Sequence, residues 1–223
     1  MSRLRGRQMS FVDAHAAVSR RFDRWIRVME IRTRLLELQD ATLGEAKAMI
    51  ISPPTDTGIR MIARANERGT TYLLCWSTRI FEEASRDARL HRLSQLRLLC
   101  ANQPAIPLED GMLDVVFANC LFDFCEAAQI EEILRGIRRV LRPGGSFFAV
   151  YMGEPAGALA RLWCGLFKHL QSISRGCHPV DILPFLRIHG FKDPEELCLS
   201  RFGFPIRYVR ANAPGPRYHR SRK

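Results

Sequence analysis

The 223-residue sequence has no Cys-x-x-Cys pair, and its seven cysteines, Cys75, Cys100, Cys120, Cys125, Cys164, Cys177 and Cys198, form no ligand cluster with its six histidines. Metal catalysis is therefore not expected, and an odd cysteine count in apolar surroundings reads as reduced core thiols in a cytoplasmic protein. No stretch approaches the ~20 apolar residues of a membrane span, and the basic N-terminus lacks the apolar run of a signal peptide, so a soluble chain is expected. Acidic residues are missing from 201–223, which carries seven Lys or Arg, and are scarce in 1–34, where nine Arg stand against three acids. The 166 residues between hold 18 basic and 20 acidic groups, so the formal charge of +11 belongs to the ends. No nucleic-acid motif or aromatic platform accompanies that charge, so specific nucleic-acid binding is not expected. Solvated tails are the plainer reading, and contact with anionic lipid at a membrane surface is the sharper one.

What is present is an apolar content of 47%, enough for one sizeable core. A single domain is expected over 11–213, with a disordered basic leader at 1–10 and a loose basic tail at 214–223. Within it, 11–43 reads as a helical cap, in which Phe22, Trp25, Ile26 and Met29 supply apolar positions. Strands are expected at Ala46–Ser52, Thr70–Trp76 and Leu96–Ala101, with helices at Thr57–Arg68 and Thr78–Leu90 between them. Later come a broad apolar helical face at Gly153–Ser174, a short helix at Pro179–His189, and strands at Glu195–Phe202 and Pro205–Ala211 joined around Gly203.

The most informative stretch is Ile106–Met152. Apolar runs at Leu113–Ala118 and Ser146–Tyr151 flank a helical pattern, Glu126–Leu141, in which Ile130, Ile133, Leu134, Ile137 and Leu141 recur every three or four residues. Pro143 cannot extend that helix, and Gly144-Gly145 can take the positive φ that turns the chain into the next strand. Strand, helix and strand in this order make a right-handed parallel crossover.

These residues carry a resemblance. Ile106-Pro107-Leu108-Glu109-Asp110-Gly111, Asp114-Val115-Val116 and Arg139-Val140-Leu141-Arg142-Pro143-Gly144-Gly145 resemble the back half of class I S-adenosylmethionine-dependent methyltransferases that modify small molecules, quinones and lipids. The resemblance implies an α/β, three-layer, Rossmann-like fold with a mostly parallel seven-stranded sheet closed by an antiparallel C-terminal hairpin. It also implies S-adenosyl-L-methionine as cofactor, bound after the first strand where the strand order switches. Phe22-Asp23-Arg24-Trp25 is similar to leader helices that fold over the cofactor and acceptor, which would bring Trp25 to the substrate; packing on the sheet is the alternative.

The front half departs from the family. Where relatives carry Gly-x-Gly-x-Gly, this chain has Ser52-Pro53-Pro54-Thr55-Asp56-Thr57-Gly58, and only Gly58 remains. The two prolines remove backbone donors and stiffen the loop. Ser52, Asp56, Thr57 and Gly58 are the implied contacts, with Asp56 either capping the next helix or replacing an acidic contact. Cys75 falls where the family's ribose-binding acid stands, and a thiol is a poor bidentate acceptor. Ser77 could supply one hydrogen bond, and Trp76 could stack on adenosine or pack as a buried aromatic. Asn102 stands where an acid accepts from the adenine amine, with Gln103 beside it. Asn119 borders the methionine end, and Asp123 is the candidate catalytic group, or else caps the following helix. Tyr151 and Glu154 are expected at the mouth of an acceptor pocket walled by the 153–174 helix.

Methyl transfer from S-adenosylmethionine to a small or lipid-like acceptor is the leading expectation. A catalytically inactive methyltransferase-like scaffold is the alternative, because the glycine loop and the ribose acid are lost together. A nicotinamide oxidoreductase is disfavoured, since its glycine fingerprint is missing as well. Deleting 1–10 and 214–223 should leave the thermal midpoint nearly unchanged while lowering salt-sensitive binding to anionic vesicles. A large loss of stability in a melting experiment would show that one of these ends is docked.

Overall fold

The computed structural model describes residues 43–51, 57–76, 78–101, 105–169, 177–201 and 203–215. The expected leader at 1–10, the helical cap apart from Leu43, and the end of the tail from residue 216 lie outside the described residues. In chain order the elements are β1 Lys47–Ile51, α1 Thr57–Ala65, β2 Thr70–Cys75, α2 Thr78–Leu90, β3 Leu96–Cys100 and β4 Leu113–Asn119. A 3₁₀ turn at Phe122–Phe124 then leads to α3 Ala127–Val140, β5 Leu141–Met152, α4 Ala158–His169, α5 Leu183–Ile188, β6 Lys192–Arg201 and β7 Phe204–Asn212.

The strands form one seven-stranded sheet in the order β3-β2-β1-β4-β5-β7-β6. β3, β2, β1, β4 and β5 pair in parallel, while β7 is antiparallel to both β5 and β6. The chemistry of the central strands demands this arrangement. Ala48-Met49-Ile50-Ile51 and Val115-Val116-Phe117-Ala118 are apolar on both alternating faces, so each face must be covered by helices. Ile50, Val115, Phe117 and Phe148 turn one way, toward Ile59 and Ile62 of α1 and Ile80 of α2. Met49, Val116, Ala118 and Phe147 turn the other way, toward α3 and Leu186 of α5.

α3 forms as its pattern dictates. Ile130, Ile133, Leu134, Ile137 and Val140 are buried on the sheet, each contributing about 1.5–3 kcal/mol relative to exposure. Its start is fixed by Gln129, whose Oε1 accepts from Glu126 N at 2.8 Å. Arg139, near its end, holds the incoming loop: its guanidinium donates to Ile106 O (2.7 Å), Leu108 O (2.8 Å) and Asp110 Oδ1 (2.7 Å). Gly111, at φ +65°, completes that turn and donates its N–H to Arg139 O.

Several boundaries differ from expectation, among them the start of β6, which lies at Lys192 and not at Glu195. β5 begins at Leu141, directly after α3, and not at Ser146. Leu113 opposes Leu141 and Val115 opposes Ser146, so Arg142–Gly145 bulge out against a single residue of β4. Gly144 takes φ +76° there, and a Cβ on Gly145 would lie 2.9 Å from Arg142 O. Prolines and glycines thus shape a bulge inside the strand and not a turn before it. α4 starts at Ala158, since Pro155 and Gly157 delay it, and the expected residues 170–174 lie outside the described set. α5 is shorter than expected because Val180 N is already bonded to Met152 O, which holds 179–181 extended. α1 stops at Ala65, where Asn66 leaves the helix for another task.

Asn66 is fully buried. Its Oδ1 accepts from Ala46 N (3.0 Å) and Gly44 N (3.3 Å), and its Nδ2 donates to Ala46 O (2.8 Å) and Thr71 Oγ1 (3.0 Å). One side chain therefore joins the end of α1 to the entries of β1 and β2. Asn66→Ala would remove the acceptor of the buried Ala46 N–H and of Gly44 N and the donor to Thr71 Oγ1, and should destabilise the fold by about 2–4 kcal/mol in urea denaturation, with an unchanged slope. A change below about 0.5 kcal/mol would show that water replaces the amide without loss.

Candidate active site

The order of strands reverses between β1 and β4, so the carboxyl ends of these two strands flank a crevice. Ile51 is level with Ala118, which places Asn119 and Cys120 across from the start of the loop that follows β1. Asn119 is buried at the end of β4. Cys120 sits at φ +48°, a left-handed conformation uncommon for a residue with a side chain, and its N–H donates to Val150 O at 2.8 Å. On the opposite side of the crevice α1 begins at Thr57, with Gly58 buried and no acid in the first turn. The dipole of α1 places its partial positive end at the crevice.

One strand over, the carboxyl end of β5 is bound to the β4–α3 connection by Asp123. The Asp123 carboxylate is buried and its Oδ1 accepts from Met152 N at 2.7 Å. Asp123 O in turn accepts from His178 N at 2.9 Å. Burial pushes this carboxyl up to about 7, the bond from Met152 opposing that rise. Burial likewise raises the neighbouring Cys125 and Cys177 thiols, and Asp123 adds to both rises. Asp123 therefore does not cap α3, a task that falls to Glu126 with Gln129. It ties together the 3₁₀ turn, the end of β5 and the segment at 177–180.

Beyond Met152 two cavities open at the same end of the sheet. The larger, about 290 Å³, is lined by Ala156, Ala158, Leu159, Ala160, Pro205 and Ile206 among others. The smaller, about 100 Å³, is polar and lined by Tyr151, Asp181, Glu196 and neighbours. Glu154 and Arg207 stand in the walls of both. Strand spacing of about 4.8 Å and a rise of about 3.3 Å per residue put Met152 about 8 Å from Asn119, Cα to Cα, along and across the sheet.

Residues 56–149 match the family described as Methyltransferase domain. Human thiol S-methyltransferase TMT1B is 39% identical over 72 residues, which cover 31% of this chain and 29% of that protein. A malonyl-acyl-carrier-protein O-methyltransferase of Methylococcus capsulatus is 32% identical over 90 residues, covering 40% of this chain and 32% of its own. The chain spans about a third of the length of these curated relatives. Among solved structures, a SAM-dependent methyltransferase from Aquifex aeolicus superposes with a TM-score of 0.61 at 13% identity, covering 82% of this chain and 89% of that one. The S-adenosylmethionine-dependent methyltransferase SibL in its apo form gives 0.69 at 16% identity, covering 85% and 56%. Residues 56–149 are thus similar to methyltransferase domains, and the fold is that of the S-adenosylmethionine-dependent methyltransferase structures on which the chain superposes. The α/β fold, with a seven-stranded sheet and antiparallel C-terminal hairpin, is the one the resemblance in the sequence implies.

Set against that family's cofactor contacts, the described residues are mixed. Gly58, the start of α1 and Asn119 lie at the crevice. Cys75 does not: it is sealed in the core beside Ile50, Leu73 and Phe117, its Sγ faces Leu73 O at 3.9 Å, and burial pushes its thiol up to about 12. Trp76 is fully buried in the opposite cluster with Met49 and Leu121, so most of its ring serves as packing. Ser52, Asp56, Ser77, Asn102, Gln103 and Trp25 lie outside the described residues, and of Thr57 only its place at the head of α1 is defined. Glu154 is exposed and lines both cavities. Tyr151 is not at an open mouth: it is buried, with its hydroxyl donating to Glu196 Oε1 at 2.8 Å.

Sequence reasoning missed Asp181, Glu196, Cys198 and Arg207. Arg207 NH1 bonds Glu196 Oε2 at 3.1 Å and also contacts Cys198 Sγ. The signal was available in the hairpin: a turn at Gly203 sets Cys198 opposite Arg207. α4 contributes only its first turn to the larger cavity. Trp163 lies half-buried, edge-on to Phe204, while Leu159, Leu162 and Leu166 remain 52%, 66% and 42% exposed.

The buried Asp123 makes a pH dependence measurable. Its unfolded carboxyl ionises near the ordinary 3.8 and the folded one near 7, so in this window the folded chain holds a proton that the unfolded chain has lost. Stability from this group therefore falls as pH rises from about 4 to about 7, then levels off. Between pH 4 and 8 the wild type should lose up to about 4 kcal/mol more than Asp123→Asn in chemical denaturation. Parallel curves for the two proteins would mean that the folded carboxyl is already ionised at low pH.

Proposed function

We propose that the chain transfers a methyl group from S-adenosylmethionine to a small or lipid-like acceptor. The observation that carries this reading is that the β1/β4 crevice and the cavities beyond β5 open at the same end of one sheet, as a donor site and an acceptor site for methyl transfer would. S-adenosylmethionine supplies the activated methyl on a cationic sulfur; the chain's task is to bind, to align acceptor, methyl and sulfur, and to exclude water. Asn119 and the amides at Thr57 and Gly58 are the described groups suited to the amino acid end of the cofactor. Ser52, Asp56, Ser77, Asn102 and Gln103 are proposed for the remainder, and Asp123 acts by holding Met152 in place. The relatives act on thiols and on malonyl-acyl-carrier protein by their names, which supports a small or carrier-linked acceptor here. The reading extends to a single domain in the cytoplasm whose basic ends touch anionic membrane surfaces. It is compatible with the absence, among the described residues, of any helix long and apolar enough to cross a membrane.

One observation favours a second reading, a methyltransferase-like binding protein without activity. Cys75 replaces the ribose acid with a core thiol, and a carboxylate substituted there would be buried among aliphatic side chains. Losing a charge-assisted ribose contact costs about 1.5–3 kcal/mol, or roughly ten- to hundredfold in affinity. The full chain should still give a calorimetric isotherm with S-adenosylmethionine, and Asn119→Ala should weaken it by roughly tenfold. No heat with S-adenosylmethionine or S-adenosylhomocysteine up to millimolar concentration would give the scaffold reading the decision.

A further inference from the structure

We infer that the acceptor is an amphiphile whose apolar body lies in the larger cavity and whose protonated amine is held by Glu154. This rests on the methyltransferase reading and deepens it by naming the chemistry of the acceptor.

The walls of the larger cavity are short and aliphatic. Ala156, Ala158, Ala160 and Gly157 leave room, while Leu159, Pro205 and Ile206 supply apolar surface. A volume of about 290 Å³ suits a chain or ring system of small-molecule size. Gly203 lets the Leu159 side chain lie against the hairpin turn: a Cβ there would collide with it, so any larger residue would displace Leu159. Leu159 itself is half exposed, which leaves it free to pack on an occupant.

The polar end has a defined sign. Glu154, Asp181 and Glu196 line the smaller cavity against a single guanidinium, Arg207. Arg207 is already committed: it pairs with Glu196 and touches Cys198. Glu196 is engaged from both sides by Tyr151 and Arg207. Asp181 Oδ1 accepts from Leu183 N at 3.0 Å at the start of α5. Glu154 alone of the three carboxylates makes no hydrogen bond or ion pair among the described residues, and it borders both cavities. The Tyr151 phenol registers the same field: burial raises its pKa first, then the bond to Glu196 and the charges of Glu196 and Asp181 raise it further. An anionic head would face an excess of negative charge, and a neutral head would gain no charge attraction from Glu154. An alkylammonium supplies it. An ammonium has no lone pair, so this group anchors the acceptor and the attacking atom lies elsewhere on the molecule.

The test uses the full chain and three probes of one length: octylamine, octan-1-ol and octanoate. Octylamine should bind at least roughly tenfold more tightly than octanol in calorimetric titrations near neutral pH, and octanoate least tightly. Glu154→Gln, at an exposed position, should keep the wild-type melting temperature and erase the difference between amine and alcohol. Leu159→Ala should weaken octylamine and octanol alike. Equal binding of amine and alcohol to wild type, or an amine preference that survives Glu154→Gln, overturns the inference. S-adenosylmethionine is titrated into the same preparations. Cofactor binding without amine preference removes the inference and leaves methyl transfer standing. Amine preference without cofactor binding removes the catalytic reading and leaves a binding site for cationic amphiphiles.

Discussion

The structure depends on β4 being buried on both faces. From Val115 to Asn119 no residue of this strand reaches solvent, and its two edges are paired to β1 and β5. Such a strand cannot exist without helices above and below it and parallel neighbours on either side, and each neighbour requires a crossover through one of those helices. The reversal of strand order at β1 and β4 follows from this, and with it the crevice. Arg139 serves the same constraint from outside: by holding three oxygens of the 106–110 loop it delivers the chain to β4 in register with α3 already in place.

The site is assembled from contacts that join distant parts of the chain. Asp123 reaches Met152, Tyr151 reaches Glu196, and Arg207 returns from β7 to cover Gly153. These contacts converge on the short segment where β5 ends, so the crevice and the cavities share one support. Methyl transfer suits such a scaffold, because alignment and water exclusion contribute more to the reaction than a dedicated acid or base.

The crossover was legible from residues alone. The spacing of Ile130, Ile133, Leu134 and Ile137 gave α3 within a residue at each end, and the runs at Leu113 and Ser146 gave two adjacent parallel strands. These are local signals, set by period and by glycine or proline. The bulge at Arg142–Gly145 was harder to read, because proline and glycine punctuate turns and bulges alike, and only pairing with β4 distinguishes them. The role of Asp123 was not legible: its partner is 29 residues away, and neither helix capping nor a catalytic role required Met152. Cys75 was placed by likeness to a cofactor contact, but alternation along β2 gives it the same face as Thr71 and Leu73, and that face is the core.

The irregularity of β6 has a consequence for how the molecule behaves in company. This strand ends the sheet, and its outer edge would offer a row of unpaired amides and carbonyls to another chain. Its pairing with β7 slips between Lys192 and Glu195, where Asp193 takes φ +49° and Pro194 has no amide to give. The edge is thereby kinked and interrupted, with Lys192, Asp193 and Glu195 displayed in charge-bearing succession. A neighbouring strand laid along this edge, as the described residues present it, would lose register within a few residues, so the slip that shapes β6 also opposes pairing edge to edge.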